Sequence, residues 1–187
     1  MKKILLIIAI ALCIFQMVVL ATVINIGSPA TDRTSAGGRN TMVSKYVPAD
    51  GTGKITTVEF YVNAALAGCQ VATFYVVSGN NLSTRDYETI QIAGQAAGVV
   101  PTGYQTATVD LDVVAGDYIG ICWTNSDGYI DKDSTVGAGT WYRGYDSGIP
   151  CTDAAFTLVA NYMISLCGTG ATVEAEEANA IFFGMNF

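Results

Sequence analysis

From residue 23 onward, apolar and polar positions alternate in short runs, with a period of two rather than 3.6. Val23-Ile24-Asn25-Ile26 opens the series and stops at Gly27-Ser28-Pro29. Residues 42–47 form a second run. In residues 55–62, Ile55, Val58, Phe60 and Val62 fall on one side, which requires a local slip near Thr57. Residues 70–77 are rich in Val and aromatics and end at the turn Gly79-Asn80-Asn81. Further runs cover residues 87–92, 106–111, 118–123 and 162–166. Gly, Pro, Asn and Asp punctuate them, as turn chemistry requires. Ala64–Ala67 and Ala93–Gly98 are Ala-rich but short and flanked by Gly, so they read as loops. The pattern predicts about eight strands in one all-β domain, closing as a two-sheet antiparallel sandwich.

The first residues follow another pattern. Met1-Lys2-Lys3 is a basic start, and residues 4–20 are apolar except for Gln16. Val19 and Ala21 stand at −3 and −1 of a cleavage point before Thr22. This is the layout of a secretory signal peptide over residues 1–21. A retained anchor is the alternative, because the apolar run continues through Val23, Ile24 and Ile26. Either way the sandwich is expected outside the cell, as a secreted or surface-held protein.

Composition sharpens this picture. Of 187 residues, 13% are charged and 51% hydrophobic, so the chain is not disordered. Nine basic residues oppose sixteen acidic ones, for a net charge of −7, which argues against nucleic acid as a partner. There is no histidine, so Ser–His and Cys–His nucleophile pairs and His-based metal sites are excluded. About twenty threonines against three lysines beyond the leader (45, 54 and 132) give a weakly charged polar surface, suited to packing against copies of itself or carrying sugars. Beyond the leader stand Cys69, Cys122, Cys151 and Cys167. An even number in an exported chain suggests two disulfides, with connectivity open. Their spacing matches no zinc pattern, and no cofactor is expected.

Four segments carry a resemblance. Gly68-Cys69-Gln70-Val71-Ala72-Thr73-Phe74-Tyr75, Val113-Val114-Ala115-Gly116-Asp117-Tyr118-Ile119-Gly120-Ile121, Ile149-Pro150-Cys151-Thr152 and Ile164-Ser165-Leu166-Cys167-Gly168-Thr169-Gly170 resemble a group of uncharacterised jelly-roll domains. Those domains occur in exported and phage-associated proteins and are similar to carbohydrate-binding jelly rolls. The resemblance implies a two-sheet jelly roll over residues 22–170. It also implies a likeness to extracellular filament subunits that lend a terminal strand to a neighbour. Cys69 and Cys151 stand in matched motifs and are expected to pair, which leaves Cys122 with Cys167.

Past Gly168-Thr169-Gly170 the domain reads as finished. Glu174, Glu176 and Glu177 form a polar spacer within residues 171–187. Ile181, Phe183, Met185 and Phe187 then alternate with Phe182, Gly184 and Asn186, a period-two strand with four large apolar groups on one face. This segment reads as a last strand of its own sheet, as a strand donated to a neighbour, or as the closing strand of an outer-membrane barrel, which four exported cysteines fit poorly.

The segment 123–145, which reads as a loop, is the other candidate. Trp123, Tyr129, Trp141, Tyr142 and Tyr145 stand among Asp127, Asp131, Asp133 and Asp146. Aromatic faces stack on sugar rings and carboxylates bind hydroxyls, so these residues form a candidate glycan contact. The bland alternative is core aromatics with solvated turn acids. Asp131-Lys132-Asp133 hints at calcium but fails the EF-hand spacing. Glu59 and Glu88 are the acid pair a glycosidase would need, without a fixed separation. Asn81-Leu82-Ser83 is a sequon in a turn, which makes Asn81 a candidate glycosylation site. The expectation is a non-enzymatic structural subunit whose partners are copies of itself, with a carbohydrate-binding module as the alternative.

Overall fold

The computed structural model describes residues 21–38, 41–135, 137–144 and 148–172. The leader and the alternating C-terminal segment lie outside the described residues. The described chain is all β. Its strands are β1 (Val23–Ser28), β2 (Ser35–Gly37), β3 (Thr41–Ser44), β4 (Gly53–Ala64), β5 (Gln70–Ser78), β6 (Asn81–Thr89) and β7 (Gly103–Val113). They continue as β8 (Tyr118–Cys122), β9 (Tyr129–Asp133), β10 (Thr140–Arg143), β11 (Ala154–Ala155), β12 (Thr157–Val159), β13 (Met163–Ile164) and β14 (Leu166–Thr172).

These strands form two antiparallel sheets. The first runs β1-β14-β4-β9-β13, with β7 along the other edge of β4 and β2 on β9. The second runs β11-β6-β5-β8-β3-β10-β12. Its two end strands, β11 and β12, are separated in the chain only by Phe156, so this sheet curls back towards itself like a barrel. The slip expected near Thr57 is a β-bulge: the β4–β7 register shifts between Ile55 and Thr57, and Ile55, Val58, Phe60 and Val62 all point inward.

The described residues form two cores. One lies between the sheets and includes Ile24, Ile26, Phe60, Val71, Ile119 and Ile121. The other includes Val43, Ala72, Phe74, Cys122, Trp141 and Phe156. Because strand side chains alternate, Val71 and Ala72, or Ile121 and Cys122, must point to opposite faces of the second sheet. The second core therefore fills the inside of the curl, and the second sheet is buried on both faces. That explains why β5 and β8 read as continuous apolar runs rather than alternating ones. Each large side chain taken fully out of water contributes about 1.5–3 kcal/mol before ordering costs.

The chain itself bonds the outer edges of β1 and β7. On the outer side of β1, Gly27 N–H donates to Val47 O at 2.8 Å and Asn25 N–H to Asp50 Oδ1 at 2.8 Å. On the outer side of β7, Asp110 N–H donates to Glu88 at 3.2 Å and Asp112 N–H to Asp86 at 2.8 Å. Side chains from the second sheet thus block further pairing at that edge.

Two expectations need correction. Gly168-Thr169-Gly170 does not end the domain; it lies inside β14, which continues to Thr172. A Cβ at Gly170 would fall 1.8 Å from Lys54 O, so glycine is there because two backbones meet, not because the chain turns. Residues 123–145 are also not a loop, since they contain β9 and β10.

Candidate functional site

The two tryptophans of the 123–145 segment are anchored in different cores. Trp123 is buried between the sheets, and its Nε1 donates to Gly128 O at 3.1 Å. Trp141 is buried in the second core, donates from Nε1 to Asn80 Oδ1 at 2.9 Å, and meets the Tyr118 ring edge-on at 4.9 Å. Tyr142 is half-buried against Tyr162, 5.8 Å between ring centres, and desolvation pushes its hydroxyl well above the usual tyrosine range. Tyr129 is 38% exposed. Tyr145 lies outside the described residues. The candidate glycan contacts therefore do not share one exposed platform. Spacing along the chain cannot separate an aromatic that stacks on a ligand from one that packs in a core; burial does.

The acids of this segment are structural as well. Asn125 accepts from Ala67 N–H at 2.7 Å and donates to Ala65 O at 2.9 Å and to Asp127 at 2.8 Å, which fixes the turn before β9. Asp131 and Asp133 both receive Arg33. Arg33 N–H donates to Asp131 Oδ2 at 2.9 Å, and its guanidinium donates to Asp133 at 2.7 Å, Ser165 Oγ at 2.7 Å and Pro29 O at 2.9 Å. Ser165 in turn donates to Thr31 O at 2.6 Å. This cluster clasps the connection between β1 and β2 onto β9 and the start of β14. Burial pushes the Asp131 carboxyl up, the Arg33 amide pulls it down, and the neighbouring Asp32 adds to the upward push. Among the described residues, no three or more Cys, Asp or Glu side chains gather as a metal site.

Arg33 escaped the sequence reading because a lone arginine carries no motif. The same holds for Arg85. It clamps the buried Asp117 carboxylate through Nε and through Nη2 at 2.9 Å, and its guanidinium lies over the Tyr75 ring at 5.0 Å. Asp117 also accepts from Val114 N–H at 2.8 Å and so shapes the turn into β8. The only hint in the sequence was an acid directly before a strand.

Glu59 and Glu88 stand on different sheets. The Cys167 thiol faces Glu59 at 3.9 Å, and Glu88 accepts from Asp110 N–H. Asn81 is half-buried at the start of β6, and its Nδ2 donates to Asp153 Oδ1 at 3.0 Å, so a glycan at this position would have to leave the remaining N–H for that bond.

The expected disulfides are absent, and all four described cysteines are free thiols. Cys69 belongs to the core between the sheets and Cys151 to the second core, with the second sheet between them. Cys122 also points into the second core, while Cys167 lies on the first sheet, where its inward neighbours are Leu166 and Gly168. Cys167 therefore faces away from the second sheet. Each expected bridge would have to cross a sheet, beyond the reach of a disulfide. Burial raises the Cys69, Cys122 and Cys167 thiols above the ordinary cysteine value. The assembly residues Ile181, Phe183, Met185 and Phe187 lie outside the described residues.

No family model, no curated protein and no solved structure matches this chain.

Proposed function

We propose that the domain is a jelly roll and that the chain is an exported, non-enzymatic structural subunit joined to copies of itself by terminal β-strand complementation. Strand order supports the fold reading. β5 pairs β6, β4 pairs β7, β3 pairs β8 and β1 pairs β14. The first half of the chain thus runs antiparallel to the second half as one long ribbon. Wrapping that ribbon brings β14 against β4 and β5 against β8, which interleaves the halves in both sheets. An eight-stranded, double-Greek-key sandwich has this order.

One observation carries the assembly reading: among the described residues, β14 already has a partner strand on each side before the chain reaches the alternating segment. β14 is flanked by β1 on one side and β4 on the other. β1 buries Ile24 and Ile26 in its own sheet, so the N-terminal strand already has a place at home. The alternating segment 181–187 lies outside the described residues, and the pairing of β14 with β1 and β4 does not call on it. A strand with large apolar groups on one face is suited to strand addition on another sheet. Such a head-to-tail link propagates rather than closes. The carbohydrate-binding alternative loses its main support, since both tryptophans are core.

Negative-stain microscopy of the purified mature protein tests this reading. Fibres are expected from the full chain, and folded monomers from a chain lacking residues 179–187. Monomers from both, or fibres from both, would overturn it.

A further inference from the structure

The first half of β5 is buried and its second half is not. Val71, Ala72, Thr73 and Phe74 are fully buried, whereas Tyr75, Val76 and Val77 keep 39, 41 and 45% of their surface. The change follows from pairing. β8 covers one edge of β5 only from Gln70 to Phe74, while β6 covers the other edge as far as Ser78. Among the described residues, positions 75–78 therefore leave one edge open, with alternate N–H and C=O groups directed at no strand. β1 and β7 have their outer edges bonded by the chain itself. Exposed edges are ordinarily blunted by charge or proline, yet residues 75–84 contain neither and are β-branched and aromatic at the open stretch.

We infer that this open edge of β5 is the docking site for the C-terminal segment 181–187, an inference that rests on the strand-complementation reading and names its acceptor. The described chain ends in β14 at Thr172, which lies opposite Gly53, which lies opposite Val113. Val114 is bonded to Asp117, and Arg85 holds Asp117 beside Tyr75. The domain thus releases its chain on the side where the open edge stands. Residues 173–180 reach about 26 Å when extended. Residues 178–187 carry no charged side chain and alternate with the period a strand needs, and at the edge the one neighbouring charge described, Arg85 over the Tyr75 ring, is paired with Asp117. Strand addition would satisfy the free backbone groups and set the apolar face of the segment beside those exposed side chains of residues 75–77 that share its face of the sheet.

The test uses the full mature chain with the photo-crosslinking residue benzoyl-phenylalanine in place of Phe183, followed by peptide mapping of the adducts. Adducts on residues 75–78 are expected. Their yield should fall by about tenfold in a V76K/V77K variant, which changes only exposed positions and should melt like the parent, but not in V114K, which charges another exposed apolar position. Adducts elsewhere, no adducts, or equal yield in V76K/V77K would overturn the inference. The size of the crosslinked product is read separately. Oligomeric ladders place the segment on a neighbour, while a crosslinked monomer with adducts on 75–78 upholds the docking site and overturns the assembly reading.

Discussion

Trp141 Nε1 donates to Asn80 Oδ1 across 61 positions of sequence, and this bond ties the β5–β6 turn to β10 at the mouth of the second core. Phe156 N–H also donates to Asn80, through its carbonyl at 3.0 Å, in the residue between β11 and β12. Trp141 is thus a keystone of the curl. Trp141→Ala is expected to destabilise by about 3–5 kcal/mol through lost burial and an open cavity. Trp141→Phe keeps most of the ring and should cost less. Urea denaturation of both variants checks this. A W141A protein that melts like the wild type would return Trp141 to the surface.

Gly170 is set by close approach rather than by a turn. Its Cβ would meet Lys54 O at 1.8 Å, whereas a Cβ at Gly144 would meet nothing within 4 Å. Gly170→Ala must therefore part β14 from β4, at a cost on the order of 3 kcal/mol, while Gly144→Ala should be near neutral. Thermal melts of the two variants side by side decide the matter; equal melting temperatures would contradict the placement of β14.

These residues show what the pattern of the chain reveals and what it hides. The alternation of Ile55, Val58, Phe60 and Val62, bulge included, is written in their spacing, because a half-buried strand must alternate. The second core is not. A run such as Val71-Ala72-Thr73-Phe74 announces burial on both faces without saying what covers the second face, and here the cover comes from residues 140–159, far along the chain. β9 was hidden because Asp131, Lys132 and Asp133 look like a solvated turn until Arg33 is brought to them from outside the segment. The glycine pair of β14 reads as punctuation because sequence does not record how closely two backbones pass.

The thiols should behave as buried groups. Burial raises the pKa of Cys69, Cys122 and Cys167, so the reactive thiolate is scarce at neutral pH. Native protein is expected to alkylate slowly, with half-buried Cys167 first. Unfolding without reductant should expose all four thiols. Non-reducing peptide mapping that finds Cys69 joined to Cys151, or Cys122 to Cys167, would contradict the two-core arrangement.

Asp131 provides a pH signature. Burial is the largest cause of its raised pKa, so the folded state holds this proton more tightly than the unfolded chain. Between the unfolded value, about 3.9, and the raised one, this group makes stability fall as pH rises; above both, the charged carboxylate carries a constant penalty. An Asp131→Asn variant has nothing to titrate at this position, and its amide oxygen can still accept from the Arg33 N–H. The melting temperature of the wild type relative to D131N should therefore drop as pH rises through this window and level off above it. A difference that stays flat between pH 3 and 7 would show that Asp131 is solvated.

The place of β1 decides which end of the chain joins subunits. Val23 lies opposite Ala171, one step from the Thr22–Thr172 pair, in which Thr172 N–H donates to Thr22 O at 2.9 Å. Hydrogen-bonded and non-bonded pairs alternate along an antiparallel ladder, so Val23 and Ala171 form a close, non-bonded pair with Cα atoms about 4.5 Å apart, within disulfide range. Val23 is 62% exposed, so a V23C/A171C variant disturbs no core. If β1 belongs to its own sheet, oxidation closes a bridge within one chain, and denaturing non-reducing electrophoresis shows a monomer even from assembled material. If β1 were exchanged between subunits, the same oxidation would produce a covalent ladder. A monomer band is the expected outcome, because β1 buries Ile24 and Ile26 beside its own β14 and is fastened on its outer side by Asp50 and Val47. A ladder would make the N-terminal strand the donor and leave the C-terminal segment without a part in assembly.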